Sequence, residues 1–246
     1  MATERFFKVG RIETIAERTC RMTLLGDTSG MRRSGRFVMV SIDGFFLPRP
    51  ISICDCADGV LTLVVKVVGE GTAKMVALPV GSQLKLLCDI GNGFDVGACT
   101  GRALLIGGGV GVAPLLLLAR ELVEAGREVT AVIGFKCRNE VFLEQELLKA
   151  GADVVVATAD GSDGCCGLVT DAIAQCALKG DYFYACGPRP MLEALCNGMD
   201  IPGEVSLEER MGCGVGICYV CTCNTTGGPA RTCKEGPVFK KGEVIW

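Results

Sequence analysis

The sequence predicts a β-barrel domain followed by an α/β domain and a short cysteine-rich segment. Three observations carry this: six short strand-like runs before residue 90, a strand–helix alternation through the middle, and five of the sixteen cysteines crowded between Cys213 and Cys233. The 246 residues allow one large domain or two modest ones with an appendage. Lys+Arg 25 against Asp+Glu 28 gives a net charge of -3, which provides no basic field for nucleic acid. A hydrophobic content of 49% with 22% charged residues excludes disorder. The longest uncharged run, Ala103 to Ala119, is broken by Gly107, Gly108, Gly109, Gly111 and Pro114, so no membrane span is expected. The absence of histidine removes Ser-His-Asp hydrolysis, Rieske ligation and histidine-containing zinc sites. The start, Met1 to Phe7, lacks a charged-then-apolar leader pattern, so a cytoplasmic protein whose cysteines are thiols or ligands is expected.

In the first part the strand runs are Phe6–Ile15, Cys20–Leu25, Phe37–Ile42, Ile51–Cys54, Leu61–Val68 and Gln83–Cys88, and six such strands suit a small closed antiparallel barrel. A short helix is expected over Ala73–Leu78. The turn-rich stretch Asp89–Phe94, with Gly97 and Gly101, marks a boundary near residue 98. Strands then follow at Ala103–Ile106, Val129–Ile133, Asp153–Thr158, Tyr182–Ala185 and Glu204–Leu207. Helices are expected between them at Pro114–Ala125, Glu140–Ala150, Leu168–Leu178 and Pro190–Asn197. Such recurrence means right-handed βαβ units and a parallel sheet. The expected division is therefore 1–98, 99–207 and 208–246. The last segment shows little periodicity and is too short for its own core, so a bound group must fold it.

Cys213, Cys218, Cys221 and Cys233 have four, two and eleven residues between successive members, the plant-type spacing for a 2Fe–2S cluster. Three thiolates on one tight loop wrap a compact core, and Gly212, Gly214 and Gly216 allow the turns. The alternative is structural zinc, which favours two C-x-x-C knuckles; only Cys218–Cys221 is one. Cys223 is a substitute ligand or a buried small thiol. The run Gly107-Gly108-Gly109-Val110-Gly111 between a strand and the helix opened by Pro114 reads as a dinucleotide loop, because glycines admit a pyrophosphate to the helix N-terminus. No acid is clearly placed after Val129–Ile133; Lys136 and Arg138 stand there, as contacts for a 2'-phosphate or a solvated face. In the barrel, Arg49-Pro50-Ile51-Ser52 and Gly71-Thr72 are weaker anion signals, also readable as a turn and a helix cap. Asp160-Gly161-Ser162 reads as a turn.

Taken together, Arg49-Pro50-Ile51-Ser52, Gly71-Thr72, Gly107–Pro114 and Cys186-Gly187-Pro188 with Met191 resemble the ferredoxin-NADP reductase superfamily. The tail Ser206–Cys218, with Cys221, Cys233 and Gly236-Pro237-Val238-Phe239, narrows this to the electron-transfer subunits of NAD-dependent dihydroorotate dehydrogenase B, over essentially the whole chain. The resemblance implies FAD in the barrel, NAD on the parallel sheet and a 2Fe–2S centre. It also implies a separate FMN-containing dihydroorotate dehydrogenase catalytic subunit, in a heterotetramer of two of each chain, within pyrimidine biosynthesis.

By the same resemblance, Arg49 and Ser52 hold the flavin and its phosphate region, Val64, Val65 and Lys66 line it, and Gly71 and Thr72 take its pyrophosphate. Cys213, Cys218, Cys221 and Cys233 ligate iron. Ile51 stands where many reductases stack an aromatic on the flavin, as it does in the dihydroorotate branch. Cys186 lies by the nicotinamide or is a buried strand-end thiol, and Trp246 is expected to pack rather than cover the flavin. Clusters carry one electron and nicotinamides two, so FAD must stand between them. Electrons then run from the partner's flavin through the cluster and FAD to NAD. Two rival readings are the flavin/iron–sulfur chain of an NADPH-ferredoxin transhydrogenase or sulfide dehydrogenase, and a zinc-held non-redox binding module. The complete cysteine set opposes the first, whereas Lys136 and Arg138 favour it.

Overall fold

The computed structural model describes residues 2–246. Among these, β1 (Thr3–Ala16), β2 (Thr19–Leu25), β3 (Phe37–Val40), β4 (Arg49–Ala57), β5 (Val60–Lys66) and β6 (Gln83–Ile90) close an antiparallel barrel in the order β1-β2-β5-β4-β3-β6. Alternation builds it: along β6, Leu84, Leu86 and Cys88 turn into the barrel core while the residues between them face out or lie half-buried. A helix, α1 (Glu70–Val76), follows β5, starting three residues earlier than the expected Ala73–Leu78.

The second layer contains β7 (Arg102–Gly108), α2 (Leu115–Glu124), β8 (Glu128–Phe135), α3 (Glu144–Lys149), β9 (Asp153–Thr158), β10 (Cys165–Cys166), α4 (Val169–Gln175), β11 (Tyr182–Cys186), α5 (Arg189–Gly198) and β12 (Gly203–Ser206). The tail adds β13 (Thr222–Thr225), β14 (Gly228–Arg231) and β15 (Val238–Lys240). The sheet order is β10-β9-β8-β7-β11-β12-β15, parallel throughout except for β15, which runs antiparallel on β12. Three departures from the sequence reading stand out. The helix expected over Glu140–Ala150 begins only at Glu144, because Leu143 takes φ 64. The preceding residues are held instead by Phe142 against Phe135, 5.2 Å between ring centroids, and by the Asn139 carbonyl accepting from the Glu17 N–H at 2.8 Å. The tail also contains a hairpin and an edge strand that its composition did not reveal. Among the described residues no helix is long and apolar enough to cross a membrane.

The layers share their cores. In α2, Leu115, Leu116, Leu118, Ala119 and Leu122 pack with the sheet, while Leu117 packs with Met22, Leu63 and Leu86 inside the barrel. Each such leucine contributes about 1.5–3 kcal/mol by burial. Arg120 pairs with Asp55 at 3.2 Å across the same junction, and Lys66 with Glu140 at 3.2 Å. A second tie fixes the tail. The Asn92 side chain donates to the carbonyls of Glu235 (3.0 Å) and Val238 (2.7 Å) and accepts from the Val238 N–H (3.1 Å). The Asn92 N–H donates to the Gly236 carbonyl at 2.8 Å.

Replacing Asn92 by alanine strands two carbonyls and an N–H, at a cost of about 1–3 kcal/mol. Asn92→Ala is expected to lower the unfolding midpoint and to accelerate hydrogen exchange at the Val238 amide. Unchanged protection there would mean that β15 alone docks the tail.

Candidate functional site

Barrel and sheet enclose a cleft of about 610 Å³. Its barrel wall carries Arg49, Ser52, Lys66 and Thr72, and the facing wall carries Val110, Glu208 and Met211. Pro50, Ile51, Val64 and Gly71 complete the barrel side. Val65 does not: its side chain is buried in the barrel core, because alternation along β5 turns it inward. The Arg49 guanidinium lies 4.6 Å from the Phe45 ring centroid and donates to the Leu47 carbonyl. A Cβ on Gly71 would stand 2.4 Å from Arg49 Nε, so glycine is what lets the cation lie against the first turn of α1. Thr72 caps that turn, its hydroxyl accepting from the Val68 and Gly69 N–H groups at 3.0 and 3.2 Å and donating to the Gly69 carbonyl at 2.9 Å. A cation and a helix start beside a largely apolar cleft fit a flavin with an anionic tail.

Strand order reverses between β7 and β11, with β8 and β9 on one side and β12 on the other, and such a switch point is where open α/β sheets bind nucleotides. Gly107, Gly108, Gly109 and Gly111 lie at its β7 edge, and Cys186, Gly187 and Pro188 at its β11 edge. The two turns interlock: a Cβ on Gly111 would fall 2.4 Å from the Cys186 carbonyl oxygen. Cys186 is buried beside Ser206 and near Glu208; burial pushes its thiol up, Glu208 adds to the rise and the Ser206 hydroxyl opposes it. Glu208 opens onto the cleft, yet protein crowds its carboxyl, and that desolvation raises its pKa.

On the far side of β7, the Asp160 N–H donates to the Lys136 carbonyl at 3.2 Å, and the Arg138 N–H donates to Ser162 Oγ at 2.8 Å. The Asp160 carboxylate accepts from the Ser162 N–H and hydroxyl, the expected turn. Arg138 Nε lies 3.9 Å from Asp163. The acids missing after β8 in the sequence are therefore supplied beside Lys136 and Arg138 by the loop after β9.

The cysteine loop rests on the outer face of β3 and β6. Cys221 and Cys233 are buried with Phe37, Met39 and Ile90, and Met211 and Leu87 pack against them. Cys213 is half-buried and Cys218 exposed. Cys213 Sγ accepts from the Val215 N–H at 3.4 Å and from the Ile217 N–H at 3.3 Å. Among the described residues no three Cys, Asp or Glu side chains converge at metal-ligand distances. Burial opposes ionisation of Cys213, but the N–H groups of Cys218, Val215 and Ile217 outweigh it and hold that thiol down to about 6. Desolvation and contact with Cys221 push Cys233 up to about 12. A loop that aims backbone N–H groups at one thiolate suits an electron-rich cluster sulfur. Cys223 points elsewhere, into the core shared with β11 and β12, with its sulfur 3.5 Å from the Ala230 carbonyl. Trp246 packs on that core, with the Arg189 guanidinium 5.8 Å from its ring. Sequence reading missed Met211, Glu208 and Phe45; the first two precede Cys213 closely, but only folding shows that they face the cleft.

Fold and site together define a ferredoxin-NADP reductase-like oxidoreductase with an iron–sulfur tail. Residues 105–197 match the oxidoreductase NAD-binding domain, and residues 208–245 match the iron–sulfur cluster binding domain of dihydroorotate dehydrogenase B. The chain is 43% identical over 243 residues to the dihydroorotate dehydrogenase B (NAD(+)) electron transfer subunit of Bacillus caldolyticus, covering 94% of each chain. It is 40% identical to that of Fusobacterium nucleatum, again over 94% of each. A chain of the NADH-dependent reduced ferredoxin-NADP oxidoreductase structure superposes with a TM-score of 0.88 at 29% identity, covering 98% of this chain and 90% of that one. The chain belongs to the family of electron transfer subunits of NAD(+)-linked dihydroorotate dehydrogenase B.

Because a methyl group at Gly111 collides with the backbone of Cys186 and Gly187, Gly111→Ala is expected to slow NADH reduction of the flavin by about tenfold to a hundredfold. Stopped-flow absorbance measures this. A wild-type rate would dissociate the interlocked turns from nicotinamide binding.

Proposed function

We propose that this chain carries electrons from a dihydroorotate-oxidising partner to NAD, using a 2Fe–2S cluster and FAD. The observation that carries this reading is a shared wall: Met211 lines both the 610 Å³ cleft and a second cavity, of about 630 Å³, that reaches Cys213 and Cys218. Phe37 lines the cleft and packs with Cys221 and Cys233. A flavin held in the cleft and a cluster held by the cysteine loop would have only a few apolar side chains, Met211 and Phe37 among them, between them. When bound, the flavin exchanges single electrons with the cluster and a hydride with nicotinamide.

The chain's own residues do the holding. Arg49 and Ser52 orient the flavin, Pro50, Ile51, Val64 and Lys66 border it, and Gly71 and Thr72 present the start of α1 to its phosphates. Val65 serves from within the barrel, by setting the course of β5. Gly107, Gly108, Gly109 and Gly111 with Cys186, Gly187 and Pro188 receive NAD. Cys213, Cys218, Cys221 and Cys233 would ligate the cluster. The three units are 1–98, 99–207 and 208–246, the last returning β15 to the sheet of the second.

The partner is an FMN-containing dihydroorotate dehydrogenase catalytic subunit, in an assembly of two of each chain. Supporting this, Phe46, Ile217, Tyr219 and Val220 are 99%, 77%, 63% and 58% exposed around the cysteine loop, an apolar rim suited to a protein partner. A cytoplasmic setting accords with all sixteen cysteines being free.

Cys218→Ser tests the ligand assignment. The variant is expected to lose the cluster's visible and paramagnetic signals and electron flow to the partner while keeping NADH reduction of FAD. An intact cluster in Cys218→Ser would contradict the assignment and point to Cys223.

A further inference from the structure

Two thiols outside the cleft and the cysteine loop stand in contact at the opposite edge of the sheet. Cys165 opens the edge strand β10 and Cys176 caps the C-terminus of α4, and their sulfurs are 3.6 Å apart. Cys176 is exposed and Cys165 is half-buried, so a small reagent reaches the pair. The contact is braced from both sides. On the strand side, Cys165 pairs with Ala157 and Cys166 with Thr158 of β9. On the helix side, the Asp171 carboxylate accepts from the Leu168 N–H at 2.7 Å, and Gln175 Nε2 donates to the Cys166 carbonyl at 3.1 Å. A disulfide requires a sulfur separation of about 2.05 Å, and the two sulfurs already stand in contact at 3.6 Å.

We propose that Cys165 and Cys176 form a reversible dithiol–disulfide site, oxidised by low-molecular-weight disulfides. In the first step the Cys176 thiolate attacks one sulfur of the reagent disulfide, forming a mixed disulfide and expelling one thiolate. Cys165 then loses its proton and its sulfur attacks that of Cys176, expelling the second thiolate. The protein loses two electrons and two protons, and one reagent disulfide becomes two thiols. The order follows from the geometry, since Cys176 is the more open sulfur. The hydrogen bond to Cys176 pushes the Cys165 thiol up, which keeps its proton in place until the second step. The neighbouring Cys166 is exposed but sits against Gly161, so it is a bystander. The bond would tie α4 to the end of the loop whose Ser162 and Asp163 hold Arg138.

The test exposes the cofactor-loaded protein anaerobically to oxidised glutathione, alkylates the remaining thiols and maps the peptides by mass spectrometry. A braced pair has an effective concentration of about millimolar or more, so the Cys165–Cys176 linkage should exceed glutathione adducts at these residues by at least about tenfold. A reducing dithiol should reverse it. Cys165→Ser and Cys176→Ser should each leave a glutathione adduct on the remaining thiol, and Cys166→Ser should still form the linkage. Retained flavin and cluster absorbance shows that each variant is folded. Adducts at Cys176 or Cys166 without the linkage, or unchanged alkylation of both Cys165 and Cys176, would overturn the proposal.

Discussion

The position of the cysteine loop depends on one side chain in the segment that leaves the barrel. Asn92 uses both ends of its amide and its own N–H to grip residues 235–238, immediately after Cys233. That grip sets where Cys221 and Cys233 meet Phe37 and Met39, and hence how little protein separates the cluster loop from the cleft. Without it, β15 would still have a sheet edge to join, and the loop would be held only by its packing on Phe37, Met39 and Leu87 and by the Leu207 N–H bond to the Pro237 carbonyl. Electron transfer rewards short separations, so a structural amide that holds the segment after Cys233 becomes a determinant of function.

The second constraint is α2. Its leucines belong to two cores at once, with Leu117 in the barrel and its neighbours in the sheet. The cleft is therefore not a gap between two free bodies. Val110 and Ala113, which precede α2, line it directly, so the wall facing the barrel is held by the same packing that joins the domains. The half-buried Arg120–Asp55 and Lys66–Glu140 pairs add registration across the junction.

Much of this was legible in the sequence because the signals were local. The six barrel strands, the five parallel strands and the glycine loop each follow from periodicity and turn chemistry within about ten residues, as does the cysteine spacing. What was not legible came from distant pairings. Val65 reads as a cleft residue until the alternation along β5 turns it into the core. Leu143 reads as mid-helix until Phe142 and Glu140 are claimed by other elements. The tail reads as irregular because β13, β14 and β15 are too short to show a period, and β15 exists only against β12. Glu208 and Met211 carry no motif of their own; they face the cleft because the chain between β12 and Cys213 crosses its mouth.

The most direct test is an anaerobic NADH titration of the cofactor-loaded chain without its partner, followed by visible absorbance and electron paramagnetic resonance. The account predicts that flavin and cluster bands bleach in the same titration, approaching about three electrons per chain, two on the flavin and one on the cluster. Reduction of the flavin with the cluster left oxidised at every NADH concentration would contradict the shared wall at Met211 as an electron path.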